Sequence, residues 1–258
     1  MVTIGKIPLD NGIPKICVPI VGRTVDELVQ ECRYLQDKIY DVVELRIDFL
    51  TEVTDLKAVN EALQAVRNEL PDSAILFTFR TKEEGGETQV SEDYYFDLIL
   101  SAIESGLVDA VDVEYFRNAD KISKVIAAAK AKGVTVVMSN HDFDKTPAKE
   151  EIESRLIGMK KLGAHVAKLA CMPQSAKDVL TLLAATEQVK SQYPDEPIIT
   201  MSMGKLGAVS RISGEVFGSS LTFGSAKKAS APGQIEVTVL QKILETLHSV
   251  SYTHLTLP

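Results

Sequence analysis

Eight times along this chain a short run of β-branched and apolar residues gives way to a stretch with helical spacing. The runs lie at 15–20, 41–48, 74–80, 109–114, 134–139, 164–169, 197–201 and 219–223. Between them apolar residues recur at intervals of three and four, as in Val25, Leu28, Val29 and Cys32, or Leu180, Leu183, Ala184 and Val189. Thr24 with Glu27 reads as a capping box. Thr146-Pro147 reads as an N-cap followed by proline at the first helical position. Gly133 and Gly163 sit where a helix hands over to the next strand. Each strand that returns through a helix lies parallel to its neighbour, so the sequence predicts a parallel sheet. Eight such units are the number that closes a barrel. An open doubly wound sheet is the alternative, but Val21-Gly22-Arg23-Thr24 follows the first strand where a dinucleotide fold needs GxGxxG. The expectation is an α/β fold, a single-domain (β/α)8 TIM barrel over residues 1–250.

The last helical pattern ends near His248, and residues 251–258 continue no periodicity. This tail is expected to be disordered, or a scar of cloning or sequence assembly, and His254 is left out of the functional argument with it.

Composition narrows the function. The chain of 258 residues is 45% hydrophobic and 25% charged, the balance of a soluble globular protein. With 28 basic and 36 acidic residues its net charge is −8, which argues against nucleic acid or an anionic membrane as partner. Cys17, Cys32 and Cys171 form no CxxC and pair with no histidine at zinc spacing, so they are expected to be free buried thiols in a reducing cytosol, and no metal is expected. No apolar run approaches 18 residues, and a cytoplasmic location is expected.

A barrel of this kind builds its active site at the C-terminal ends of the strands, and strand alternation says which side chains point inward there. In the second run Glu44, Arg46 and Asp48 share one face and Val43, Leu45 and Ile47 the other. The apolar face must meet the helices, so the charged one faces the barrel interior. Such burial requires ion pairs or a ligand. Arg80 ends the third run at the mouth, beside an acidic loop containing Glu84. The fourth run places Asp112 and Glu114 inward. His141 lies just past the fifth, with the inward parity of Val137 and Ser139, and histidine is the side chain suited to proton transfer near neutrality. In the sixth, Lys168 shares its face with Ala164 and Val166, an apolar interior whose desolvation would favour the neutral amine that a Schiff-base nucleophile requires. A buried lysine merely paired with Glu44 or Glu114 is the competing possibility. His165 points the other way and reads as packing. Beyond the eighth run a small-residue stretch from Gly224 to Gln234 reads as a mobile lid.

Glu44-x-Arg46, Arg80 with Glu84, Ser139-Asn140-His141-Asp142, Lys168, Met203-Gly204-x-x-Gly207 before Arg211, and Ser230-Ala231-Pro232-Gly233-Gln234 together resemble the type I 3-dehydroquinate dehydratases. The resemblance runs in order from about Lys15 to His248. It implies that Lys168 forms an imine with 3-dehydroquinate, that His141 moves protons with Glu84 orienting it, and that Arg211, Ser230 and Gln234 hold the substrate carboxylate. Glu44, Arg46 and Arg80 would bind ring hydroxyls and set the electrostatics. It further implies a homodimer and no cofactor. Two rivals remain: a class I aldolase with a phosphorylated substrate, for which Gly204, Gly207 and Gly224 are suitably placed, and a non-catalytic barrel that binds a small anion.

Overall fold

The structure, a computed structural model, describes residues 1–9, 12–226 and 230–253. Eight parallel strands form the wall: β1 (Lys15–Ile20), β2 (Val42–Arg46), β3 (Ala74–Thr78), β4 (Ala110–Glu114), β5 (Thr135–Asp142), β6 (Val166–Cys171), β7 (Ile198–Ser202) and β8 (Leu221–Ser225). From β1 to β7 consecutive strands pair, and β8 pairs with β1. The sheet therefore curls until β7 and β8 approach each other. That seam is joined by one parallel bridge, Ile198 to Ser219, with Ser220 N donating to Ile198 O at 2.8 Å. A ninth strand, β9 (Ile235–Glu236), extends the sheet alongside β8.

Outside the wall run α1 (Val25–Leu35), α2 (Leu56–Glu69), α3 (Glu92–Ser105), α4 (Ala119–Lys132), α5 (Lys149–Lys161) and α6 (Ala176–Gln192). Two short helices, α7 (Ala208–Ile212) and α8 (Gly214–Phe217), separate β7 from β8, and α9 (Val237–Thr253) ends the fold. Helix α2 illustrates the local logic. Asp55 caps it by accepting from Lys57 N, and Val59, Ala62, Leu63 and Val66 bury one stripe. Each fully buried Leu or Val contributes about 1.5–3 kcal/mol, so the outer core between strands and helices is the main source of stability.

Several local expectations need correction. Thr146 does not cap α5; its hydroxyl donates to the Met172 carbonyl at 3.3 Å, and the helix begins after Ala148. The second strand stops at Arg46, and Asp48 sits in a 3-10 turn, Ile47–Phe49, rather than on the strand. Helix α9 continues to Thr253, beyond the expected end near His248, because the chain keeps its helical hydrogen bonding past the last clear apolar period. Of the expected tail, residues 254–258, with His254, lie outside the described residues. Gly133 does end α4, in the left-handed conformation at φ 69°.

Inside the barrel the alternation holds. Cys17, Val42, Ala74, Ala110, Val137, Val166, Ile199 and Leu221 form an inner apolar layer with Ile4 and Leu9 from the N-terminal hairpin, whose strands are Thr3–Ile4 and Ile7–Pro8. That plug fills the lower end. Only the mouth, where the strands end, remains for polar groups.

Candidate active site

The mouth gathers, strand by strand, the residues whose parity points inward. Glu44, Arg46, Arg80, Glu84, His141, Lys168, Ser230 and Gln234 line one cavity together with Gly85, Phe143, Ala170, Met201, Met203, Phe223 and Ala231. Eight of the nine site residues expected from the sequence are thus brought together. The ninth, Arg211, is buried beside them rather than on the cavity wall.

Lys168 is not in the apolar surroundings expected of it. Its Nζ lies 3.6 Å from Glu44 Oε1 and 3.5 Å from Asp112 Oδ2. Phe223 covers it, with the ring centroid 4.5 Å away. Strand parity places Lys168 inward but cannot say which carboxylates reach it from across the barrel. The competing possibility named Glu44 or Glu114; Glu44 is there, but the second carboxylate is Asp112, because Glu114 turns to Thr81, Arg80 and Arg117. Burial opposes ionisation of Asp112, yet Arg80, Lys168 and the hydrogen bond from Ser139 Oγ (2.6 Å) hold its carboxyl below the usual range.

Arg80 organises the acidic side. It contacts Glu114 at 3.0 Å, Asp112 at 2.8 Å and Glu84 at 3.6 Å, and donates to Ser139 Oγ at 2.9 Å. Arg46 is held by both oxygens of Asp48, each at 2.8 Å, a fork that fixes the guanidinium plane. Glu44 accepts from Thr78 Oγ1 at 3.0 Å.

Glu84 reaches His141 because the chain after β3 folds into a tight 3-10 turn, Lys82–Glu84, closed by Gly85 at φ 84°. Gly86 then passes so close to Arg80 that a Cβ on it would lie 1.8 Å from the Arg80 carbonyl oxygen. Glu84 Oε2 lies 2.9 Å from His141 Nδ1 and accepts from the His141 backbone N–H at 3.0 Å. Burial and the neighbouring Glu114 push the Glu84 carboxyl from 4.5 up to about 8, with Arg80 and Asn140 pulling the other way. Burial, then Arg80, Lys168 and Arg46, drive His141 well below its ordinary value, so the imidazole is neutral.

On the opposite side Arg211 has no acidic partner among the described residues. It donates to the Pro232 carbonyl at 3.0 Å and the Phe223 carbonyl at 3.5 Å, and burial lowers it to about 10. The Pro232 segment is latched down: Gly204 N donates to Pro232 O at 3.2 Å. Ser230 and Gln234 clasp each other through two hydrogen bonds of 2.9 and 3.0 Å. Sequence reasoning missed Asp112 as the lysine's partner and the apolar walls Phe143, Met201, Met203 and Phe223. Inward parity at or one residue past the strand ends is the signal for all of them. His165 behaves as packing, accepting from Val136 N at 2.9 Å. Among the described residues no group of three His, Cys, Asp or Glu side chains is placed to hold a metal ion, and no helix is long and apolar enough to cross a membrane.

A parallel barrel with a lysine, a histidine–carboxylate pair and buried arginines around one mouth cavity defines a barrel enzyme acting on a small anionic molecule. The chain belongs to the type I 3-dehydroquinase family, whose model matches residues 16–251. It is therefore a hydro-lyase. A 3-dehydroquinate dehydratase of Listeria monocytogenes is 54% identical over 96% of this chain and 98% of its own length. A crystal structure of the type I 3-dehydroquinate dehydratase of Clostridium difficile, with covalently modified comenic acid, superposes with a TM-score of 0.94 at 48% identity, covering 96% of this chain and 98% of that one. The 3-dehydroquinate dehydratase of Enterococcus faecalis superposes at 0.89 with 41% identity, over 95% and 99% of the two chains. Family membership sets aside the aldolase and the non-catalytic anion binder.

Proposed function

We propose that this protein dehydrates 3-dehydroquinate to 3-dehydroshikimate, a step of the shikimate route to aromatic amino acids, through an imine on Lys168. The observation that carries this reading is that Lys168 and the neutral His141 line the same small cavity, with Glu84 on the far nitrogen of the ring. The C2 proton of a ketone is too weakly acidic for a histidine to remove. An iminium brings it within reach.

The Lys168 ammonium passes a proton to His141, the freed amine attacks the C3 carbonyl, and His141 returns that proton to the carbinolamine hydroxyl, which leaves as water to give the iminium. Its positive charge falls where the ammonium stood, between Glu44 and Asp112, so those carboxylates need no rearrangement. His141 Nε2 takes the C2 proton to give an enamine, then returns a proton to the departing C1 hydroxyl, which leaves as water. Hydrolysis of the conjugated iminium consumes the first water and frees product and lysine. Glu84 orients the imidazole. Arg211, a buried cation lacking an acid among the described residues, takes the substrate carboxylate with Ser230 and Gln234 closing over that end. Glu44, Arg46 and Arg80 meet ring hydroxyls. No metal or cofactor is required, since the lysine is the electron sink. The covalently modified ligand in the Clostridium difficile relative supports a nucleophile in this fold. Residues 1–250 act as one catalytic domain, the protein works in the cytoplasm, and it forms a homodimer without nucleic acid or membrane partners.

Borohydride added with 3-dehydroquinate should fix one adduct to Lys168, found by intact mass and peptide mapping. Lys168→Ala should abolish both adduct and turnover; retained turnover would rule out the imine. His141→Ala should slow turnover roughly 10²–10⁴-fold while still allowing an adduct to be trapped. Normal turnover in that variant would remove the acid–base role.

A further inference from the structure

Asn140 breaks the pattern of β5. Its neighbours Ser139 and His141 point into the barrel, so alternation turns Asn140 outward, where an apolar side chain would ordinarily meet the helices. It is nevertheless 5% exposed and polar, and both ends of its amide are occupied. Arg155 NH1, from α5, donates to Asn140 Oδ1 at 2.7 Å. Asn140 Nδ2 donates to Glu84 Oε1 at 3.2 Å.

The direction of this chain is fixed by what each group can do. A guanidinium only donates, so the amide oxygen must face Arg155 and the amide nitrogen must face Glu84. That nitrogen also only donates, which requires Glu84 Oε1 to be an unprotonated oxygen. Glu84 Oε2 already accepts the His141 backbone N–H. Where Glu84 is ionised, above about pH 8, both oxygens accept and the remaining lone pair of Oε2 takes the hydrogen bond from Nδ1. The imidazole proton then sits on Nδ1, leaving Nε2 bare towards the cavity. If Glu84 took up a proton, it would donate to Nδ1, force the ring proton onto Nε2 and remove the base.

We infer that Arg155, acting through Asn140 and Glu84, is a positioning residue that holds His141 in the tautomer able to accept a proton. The inference rests on His141 being the base of the proposed reaction. Other charged groups face this chain. Arg80 approaches Glu84 at 3.6 Å and favours its carboxylate, while Glu114 and Asp112 oppose it. Lys168 and Arg46 face His141. Glu151 pairs with Arg155 on the helix surface, and the guanidinium stacks 5.3 Å over Phe116. None of these fixes the amide orientation.

Arg155→Met keeps the apolar stem and removes the donor. The limb of the kcat/KM profile on which activity is lost as pH falls should move upward by about half to one pH unit, with plateau kcat and KM within roughly twofold of the parent. Below that limb the variant should be about three- to tenfold slower at equal pH. Arg155→Ala serves in its place if the methionine variant fails to fold. In an Asn140→Leu background the Arg155 substitution should add no further shift. An unmoved limb in a folded Arg155 variant, or an undiminished shift in the Asn140→Leu background, overturns the inference. Nitrogen NMR of histidine-labelled protein without substrate, with His141 assigned by its loss in His141→Ala, reads the tautomer directly. It should report a protonated Nδ1 in the parent above about pH 8 and a protonated Nε2 below it, with that change at higher pH in Arg155→Met; no difference between the two also overturns the inference. This measurement needs no turnover, so failure of borohydride to trap 3-dehydroquinate would sink the proposed reaction without touching the tautomer result.

Discussion

Arg80 and Arg211 are buried to almost the same degree, 3% and 1% exposed, on the two sides of one mouth, yet they are in opposite electrostatic circumstances. Burial alone would lower both. At Arg80, Asp112, Glu114 and Glu84 more than offset it and hold the guanidinium well above its ordinary value. Among the described residues Arg211 meets only carbonyl oxygens and the Met201 sulfur and its Nε has no hydrogen-bond partner, and burial lowers it to about 10. The acidic side is complete in the free protein. The other side holds a positive charge that, in the proposed reaction, finds its partner in the substrate carboxylate. The charges around Lys168 and His141 are neutralised internally, and the charge proposed to meet an anion is left uncompensated among the described residues.

The contrast breaks most severely at Arg80. Arg80→Met removes the cation shared by three buried carboxylates, leaving Glu114 to Arg117 and Asp112 to Lys168, and should destabilise the protein by about 3–5 kcal/mol, read as a lower urea midpoint. A midpoint equal to the parent's would mean those acids are neutral without it. Arg211→Met should do the reverse. It removes an unpaired buried cation, so the midpoint should hold or rise, while KM for 3-dehydroquinate increases roughly 10–100-fold. Loss of stability with unchanged KM would make Arg211 a structural residue. The smallest effect is expected at Glu84→Gln and depends on pH. The Glu84 carboxyl titrates near 4.5 when unfolded and at about 8 when folded, so the folded state binds its proton more tightly. Its contribution to stability is complete below 4.5 and is lost as pH rises through about 8. The neutral glutamine should therefore melt a few degrees higher than the parent in alkaline buffer and about the same in acid. Equal melting across the range would show that Glu84 is not perturbed.

The strand–helix alternation made the barrel legible, because each parallel return requires a helix and period-two parity assigns every strand residue to one face. The same parity turns Glu44, Arg46, Arg80, Asp112, His141 and Lys168 inward from the sequence alone. It could not place contacts across the barrel. Asp112 meets Lys168 and Glu114 turns away because of the tight path of Thr81 and the reach of Arg117, both set by tertiary packing. Asn140 was legible only as part of a motif, since its partner Arg155 sits on a helix face with no sequence sign of its role. The ninth strand pairs over two residues, too short for any periodicity to announce it. Glu84 could be found near Arg80 but not oriented, for the 3-10 turn that aims it depends on the Arg80 backbone behind it.

That turn also shapes how this chain can diverge. At Gly86 the obstacle is a main-chain oxygen 1.8 Å from where any side chain would begin, so no change of rotamer elsewhere makes room. Neutral drift in the loop is therefore channelled to its exposed or half-exposed members, such as Glu83 and Glu87, where charge can come and go at little cost. A laboratory library across 82–87 would spend its tolerated diversity there, and descendants of the chain would inherit the aim of Glu84 from a residue that has no side chain at all.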